Sequence, residues 1–200
     1  SGFNTSIIEK GVNEAIDVIT NKGGNSFVIY GEPQSGKTEL MIALTCKLLD
    51  CGFKTIFVVV NDNTELETQN FDRFLSSCQL NPSPLRDWQV EELLPQQLKQ
   101  DIPRVVFCRK NSSRLAKLIT YSRHFKDRVV IDDEADFATP DTNINKKDKD
   151  ATAINERLGD LVQLDKGGIY IGVTATPGRL DLNNTFLNRS EHWVFLDSHQ

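Results

Sequence analysis

Several things are scarce in this sequence, and each shortage excludes a class of protein. The four cysteines, Cys46, Cys51, Cys78 and Cys108, include no C-x-x-C pair and no close histidine companion, so neither a structural zinc site nor a redox motif is indicated and free thiols are expected. No apolar run approaches the roughly 20 residues that cross a bilayer, and the N-terminus lacks a charged-then-apolar secretory leader. Positive charge is in the minority: 23 Lys and Arg against 28 Asp and Glu leave a net charge of -5. That balance argues against a surface uniformly coated for nucleic acid, while leaving room for a local basic strip. Internal repeats and low-complexity tracts are missing as well. A soluble, cytoplasmic protein with no membrane partner is the expectation.

What is present suits one domain. With 200 residues, 38% of them hydrophobic, the chain can bury a substantial core. It opens on Ser1-Gly2 and stops soon after an apolar run, as a piece of a longer protein would, so a single domain over 1–200 with further domains beyond residue 200 is expected. Short β-branched runs at 26–30, 55–60, 104–108, 128–132, 169–173 and 193–196 alternate with helical periods at 6–19, 37–49, 65–76, 88–99, 114–124 and 153–164. This alternation predicts an α/β fold with a parallel sheet flanked by helices. Ile56-Phe57-Val58-Val59-Val60 is apolar without a break, as a strand covered on both faces should be. Gly52 is placed to end one helix in a left-handed residue, and Asn63-Thr64 to cap the next. Asn81-Pro82-Ser83-Pro84 and Pro103 break helices. Residues 139–150, polar and rich in mixed charge, are the expected least ordered stretch.

Gly31-Glu32-Pro33-Gln34-Ser35-Gly36-Lys37-Thr38 satisfies G-x-x-x-x-G-K-[ST] between an apolar strand and a helix. Backbone N–H groups and a helix N-terminus there form a concave positive field for phosphate oxygens, and glycine lets the backbone approach. Lys37 supplies a charge to the β- and γ-phosphates, and the Thr38 hydroxyl is placed to ligate Mg²⁺. A second site follows at Val129-Val130-Ile131-Asp132-Asp133-Glu134, an apolar strand ending in acids. Ligands bind at that carboxyl edge of open α/β sheets. Asp133 is assigned to the metal and Glu134 to the attacking water, with Asp132 able to take the metal role if the register shifts by one. Adjacent like charges are costly without a cation, which a magnesium ion would supply. The segment Thr174-Ala175-Thr176-Pro177-Gly178 ends another strand with two hydroxyls and a forced stop; the same residues also describe an ordinary turn.

In this order the three segments resemble motifs I, II and III of the first motor domain of superfamily 2 helicases and helicase-like translocases. A closer likeness is to the endonuclease-associated Z-one ATPase domain family of bacterial restriction or defence proteins. It is carried by Gln34-Ser35-Gly36-Lys37-Thr38, by Leu66, Gln69, Arg73 and Phe74 within 63–74, by Arg109-Lys110-Asn111 with Leu115, by Asp132–Asp136, and by Gly172 to Pro177. The resemblance implies a three-layer, RecA-like P-loop NTPase fold, ATP and Mg²⁺ as cofactors, and ATP hydrolysis coupled through Asp136, Thr174 and Thr176. It implies DNA as partner, with Gln69, Arg73 and Lys110 toward the nucleic-acid backbone, and a second motor domain or a nuclease outside this stretch. The second domain's arginine is missing here, so weak turnover is expected of the piece alone. No adenine-reading glutamine is evident in residues 1–25. Two rival readings stand beside this one: a thymidine-kinase-like nucleoside kinase, whose usual zinc ribbon is missing, and a nucleotide-gated interaction module without turnover.

Overall fold

A computed structural model describes residues 5–32, 36–77, 83–135, 146–164, 166–175 and 193–196. The elements run α1 (Thr5–Thr20), β1 (Ser26–Gly31), α2 (Lys37–Asp50), β2 (Thr55–Val60), α3 (Thr64–Ser77), β3 (Leu85–Arg86), α4 (Asp87–Glu91), α5 (Pro95–Leu98), β4 (Arg104–Arg109), α6 (Ser112–Tyr121), β5 (Arg128–Asp133), α7 (Lys146–Gln163), β6 (Ile169–Thr174) and β7 (Val194–Leu196). Seven strands form one sheet in the order β3-β4-β2-β5-β6-β1-β7. Every pairing among them is parallel.

The pleat sends alternate strand residues to opposite faces, and both faces are covered. Phe27, Ile29, Val58, Val60, Ile131 and Val173 pack under α1, α2 and α3 through Val12, Ala15, Leu40, Leu44, Phe71 and Phe74. Phe57, Val59, Val106, Val130 and Tyr170 pack under α4, α6 and α7 through Val90, Leu115, Leu118, Ile154, Leu158 and Leu161. The result is the three-layer α/β architecture of a RecA-like P-loop domain. The caps also match expectation: Gly52 is left-handed with φ +93°, and the Asn63 carboxamide accepts from the N–H groups of Glu65 (2.9 Å) and Leu66 (3.2 Å).

Three details differ from the sequence reading. The helix expected over 88–99 is two short helices, α4 and α5, because Pro95 cannot continue a helix begun upstream. The Gln97 carboxamide turns back to accept from the Leu94 N–H at 2.8 Å, which caps the second piece. Residues 146–150, expected to be loose, form the first turns of α7; once Ile154, Leu158 and Leu161 are packed, adding a helical turn needs no further burial. Strand β3 was missed, since two residues at the sheet edge, Leu85 opposite Val106 and Arg86 opposite Phe107, carry no readable period. Cys46, Cys51 and Cys108 are free thiols, and Cys78 lies outside the described residues. Among the described residues no helix is long and apolar enough to cross a membrane.

Candidate active site

Strand β1 delivers the chain to the carboxyl edge at Gly31, and α2 leaves that edge at Lys37. Between them Gly36 adopts φ 83°, ψ 30°, a left-handed conformation that glycine takes without a Cβ penalty. It turns the chain so that the free N–H groups of the first turn of α2 point out of the sheet edge. The Lys37 ammonium folds back over the turn and donates to the carbonyls of Gly31 (3.4 Å) and Glu32 (3.3 Å). Pro33, Gln34 and Ser35 lie outside the described residues.

One strand, β6, separates β1 from the acid-bearing β5. The cradle and the acids therefore stand about 10 Å apart, two strand spacings. The pleat distinguishes the two acids within the strand. Asp133 follows Ile131 onto the face of α2 and α3, whereas Asp132 follows Val130 onto the face of α6 and α7. Asp132 is buried there, with Oδ1 2.8 Å from the Lys110 ammonium and Oδ2 accepting from the Tyr170 hydroxyl at 2.7 Å. Asp132 is thus turned away from the Gly31–Thr38 turn and Asp133 toward it. Burial pushes the Asp133 carboxyl up to about 6, and the neighbouring Glu134 charge adds to the shift. Burial likewise raises the Tyr170 hydroxyl, and the Asp132 charge raises it further, so it stays a donor.

Glu134 has φ 51°, a left-handed conformation uncommon outside glycine. Its carboxylate accepts from the Asn61 carboxamide at the tip of β2, and its backbone carbonyl accepts from the Lys110 ammonium at 2.7 Å. Lys37 and Thr38, Asn61, Gln69, Asn70 and Arg73 of the α3 side, and Asp133 and Glu134 line one cavity of about 280 Å³. Ammonium, hydroxyl, helix N-terminus and two carboxylates converge there. This donor set fits a phosphate chain with a hard divalent cation. Among the described residues no group of three His, Cys, Asp or Glu could hold a metal.

Not every expected residue falls in this cavity. Thr174 is buried at the end of β6, opposite Tyr30 of the cradle strand; Asp136 and Thr176 lie outside the described residues. Gln69 and Arg73, expected along a nucleic-acid backbone, line the cavity itself, and Arg73 reaches to within 4.0 Å of Glu39 on α2. Lys110 is a correction: its side chain is fully buried, so it is internal and offers no ammonium to a nucleic-acid surface. Asn61 and Tyr170 escaped the sequence reading altogether. A polar residue directly after the unbroken apolar strand β2 was the available signal for Asn61; nothing local signalled Tyr170.

Among solved structures, the chain is similar to an ATP-dependent Type ISP restriction-modification enzyme, LlaBIII, bound to DNA, with a TM-score of 0.63 and 16% identity over 86% of this chain. That likeness shows the fold, and it spans only 12% of the restriction enzyme's length. The genome packaging NTPase B204 from Sulfolobus turreted icosahedral virus 2, in complex with AMP, is similar with a TM-score of 0.44 and 18% identity over 76% of this chain and 65% of its own. No curated relative matches. The model of the SWI2/SNF2 ATPases matches residues 9–188, which supports the superfamily 2 motor resemblance. The chain belongs to the SWI2/SNF2 ATPase family.

Proposed function

We propose that this helicase-like ATPase domain binds ATP with Mg²⁺ in the 280 Å³ cavity and hydrolyses it, as the first motor domain of a longer protein acting on DNA in restriction, defence or repair. The observation that carries the reading is the convergence of Lys37 and Thr38 with Asp133 and Glu134 on one face of the sheet. When bound, the cation neutralises charge developing on the phosphates. Gly31 to Thr38 hold the phosphates through backbone N–H groups, with Lys37 leaving its resting carbonyl partners to meet them. Thr38 and Asp133 would hold the metal, and Glu134 orients and deprotonates the attacking water. Asp136, Thr174 and Thr176 couple that event to a neighbouring domain. Gln69 and Arg73, which line the cavity, sense a nucleic-acid backbone there.

Phosphate release should require Mg²⁺, rise on adding duplex DNA to the longer protein, and fall in Glu134→Gln with nucleotide binding retained. Hydrolysis undiminished in Glu134→Gln would remove the base assigned here. Transfer of phosphate to thymidine would turn the reading to a nucleoside kinase.

A further inference from the structure

Glu134 is a charged, non-glycine residue in the left-handed region, a conformation that crowds the Cβ of an L-residue against the following carbonyl oxygen. It persists only if its surroundings over-determine it. The restraint on its backbone comes from far away in sequence. Lys110 follows β4, and β2 stands between β4 and β5. Its own N–H donates to the Val60 carbonyl at 2.7 Å, anchoring it across the tip of β2. The ammonium then bridges the Asp132 carboxylate (2.8 Å) and the Glu134 carbonyl (2.7 Å).

The far oxygen of Asp132 is held by the Tyr170 hydroxyl. Gly172, the residue paired with Asp132, lies beside this hydroxyl. A Cβ there would stand 3.0 Å from that of Ala135 and 3.5 Å from the Tyr170 oxygen. A buried ion pair is poor evidence of stabilisation, since well-packed apolar side chains do as well or better. What the ammonium adds is location: it fixes one particular carbonyl, that of the residue whose carboxylate enters the cavity.

We propose that Lys110, backed by Asp132 and Tyr170, is a positioning residue for Glu134: it pins the peptide after Glu134 and thereby sets where the carboxylate meets the attacking water. The inference rests on the hydrolytic reading above. It extends that reading to a buried triad that does not line the cavity.

The test compares turnover of Mg²⁺·ATP, in the longest available chain with duplex DNA, for the parent, Lys110→Met/Asp132→Asn, Tyr170→Phe and Glu134→Gln. The double variant removes both buried charges together, avoiding an orphaned carboxylate. It should melt cooperatively and keep KM within about twofold while kcat falls at least about tenfold, the scale expected of a misplaced reacting group. Placed on the Glu134→Gln background, it should cause no further loss, because there is no base left to misplace. Tyr170→Phe keeps both charges and should lower kcat a fewfold with KM unchanged; if the double variant does not fold, this variant decides alone. Unchanged kcat in a folded variant, or an equal fractional loss on the Glu134→Gln background, would overturn the proposal. A parent that does not hydrolyse ATP, or a Glu134→Gln protein as active as the parent, overturns the hydrolytic reading itself, and the positioning role falls with it. Neither of those two results involves Lys110, so the failures are told apart.

Discussion

The turn that ends at Lys37 and the acidic strand tip share one cavity, but the described contacts of the first are to main chain close in sequence, and the second is built from side chains brought by four strands. At that turn Gly36 is left-handed and α2 presents its N-terminus; the Lys37 side chain lies over it and rests on carbonyls. At the acidic tip, Asn61 after β2, Lys110 after β4 and Tyr170 of β6 all converge on Asp132 and Glu134 of β5. A backbone site tolerates side-chain exchange around it and depends on local conformation. A side-chain network depends on distant strands keeping their register, and each member is exposed to single substitutions.

The largest test of that contrast is catalytic. Glu134→Gln preserves size and the hydrogen bond to Asn61 while removing the base, and kcat should fall about 10²- to 10⁴-fold with nucleotide affinity nearly unchanged. Lys37→Ala on the cradle side should weaken triphosphate binding as well as turnover. Equilibrium binding of a fluorescent ATP analogue separates the two. If both substitutions cut binding alike, the division of labour between the two walls is wrong.

Next in size is a stability effect confined to the acidic wall. In the metal-free protein the Asp133 carboxyl is raised from 3.8 to about 6, chiefly by burial. The folded state therefore favours the protonated form more than the unfolded state does. The resulting loss of stability is absent below about pH 4, grows as pH rises through 6 and is complete above it. Asp133→Asn should accordingly stabilise the fold at pH 8 by up to about 3 kcal/mol, two pKa intervals, while abolishing Mg²⁺-dependent turnover. Urea melts at pH 8 and pH 5 read this, and the gap between variant and parent should shrink at the lower pH. An equal gap at both would mean that the carboxyl is not destabilised by burial.

The same contrast explains what was legible in the sequence. The cradle is contiguous, so its pattern named it, and the unbroken β2 and β5 runs named the strands that carry the cleft. The placement of Asp133 against Asp132 needed only the pleat, but which face is which depends on the helices that cover the sheet. Lys110 misled because its direction toward nucleic acid came from the resemblance carried by Arg109-Lys110-Asn111, which says nothing of burial. Its partners, Asp132 and the Glu134 carbonyl, are more than 20 residues away in sequence, and no local period encodes that meeting. Strand β3 and the break before Pro95 were lost for the converse reason, being too short for any period to show.

A smaller effect should come from Gly172→Ala. The added methyl would meet Ala135 at 3.0 Å and crowd the Tyr170 ring at 3.4 Å, so a cost of about 1 kcal/mol is expected from overpacking. Because it presses on the acidic wall and not on the cradle, kcat should drop with nucleotide affinity unchanged. A loss of affinity without a loss of kcat would show that β6 supports the cradle instead.

The smallest effect on stability, and the one that bears most on partners, belongs to Arg73→Ala. Its contact with Glu39 is long, 4.0 Å, and its side chain is 58% exposed, so the fold should lose no more than a few tenths of a kcal/mol. Its place in the cavity wall beside Lys37 and Glu134 makes two outcomes distinguishable. If Arg73 meets a nucleic-acid phosphate, the variant binds DNA more weakly across all sequences, and the dependence of log affinity on log salt flattens by about one. If instead it meets the nucleotide, KM for ATP rises with DNA affinity unchanged. The first outcome would make α3 the link between the two ligands, joined to the cradle helix through Glu39 and to the acidic wall through the shared cavity.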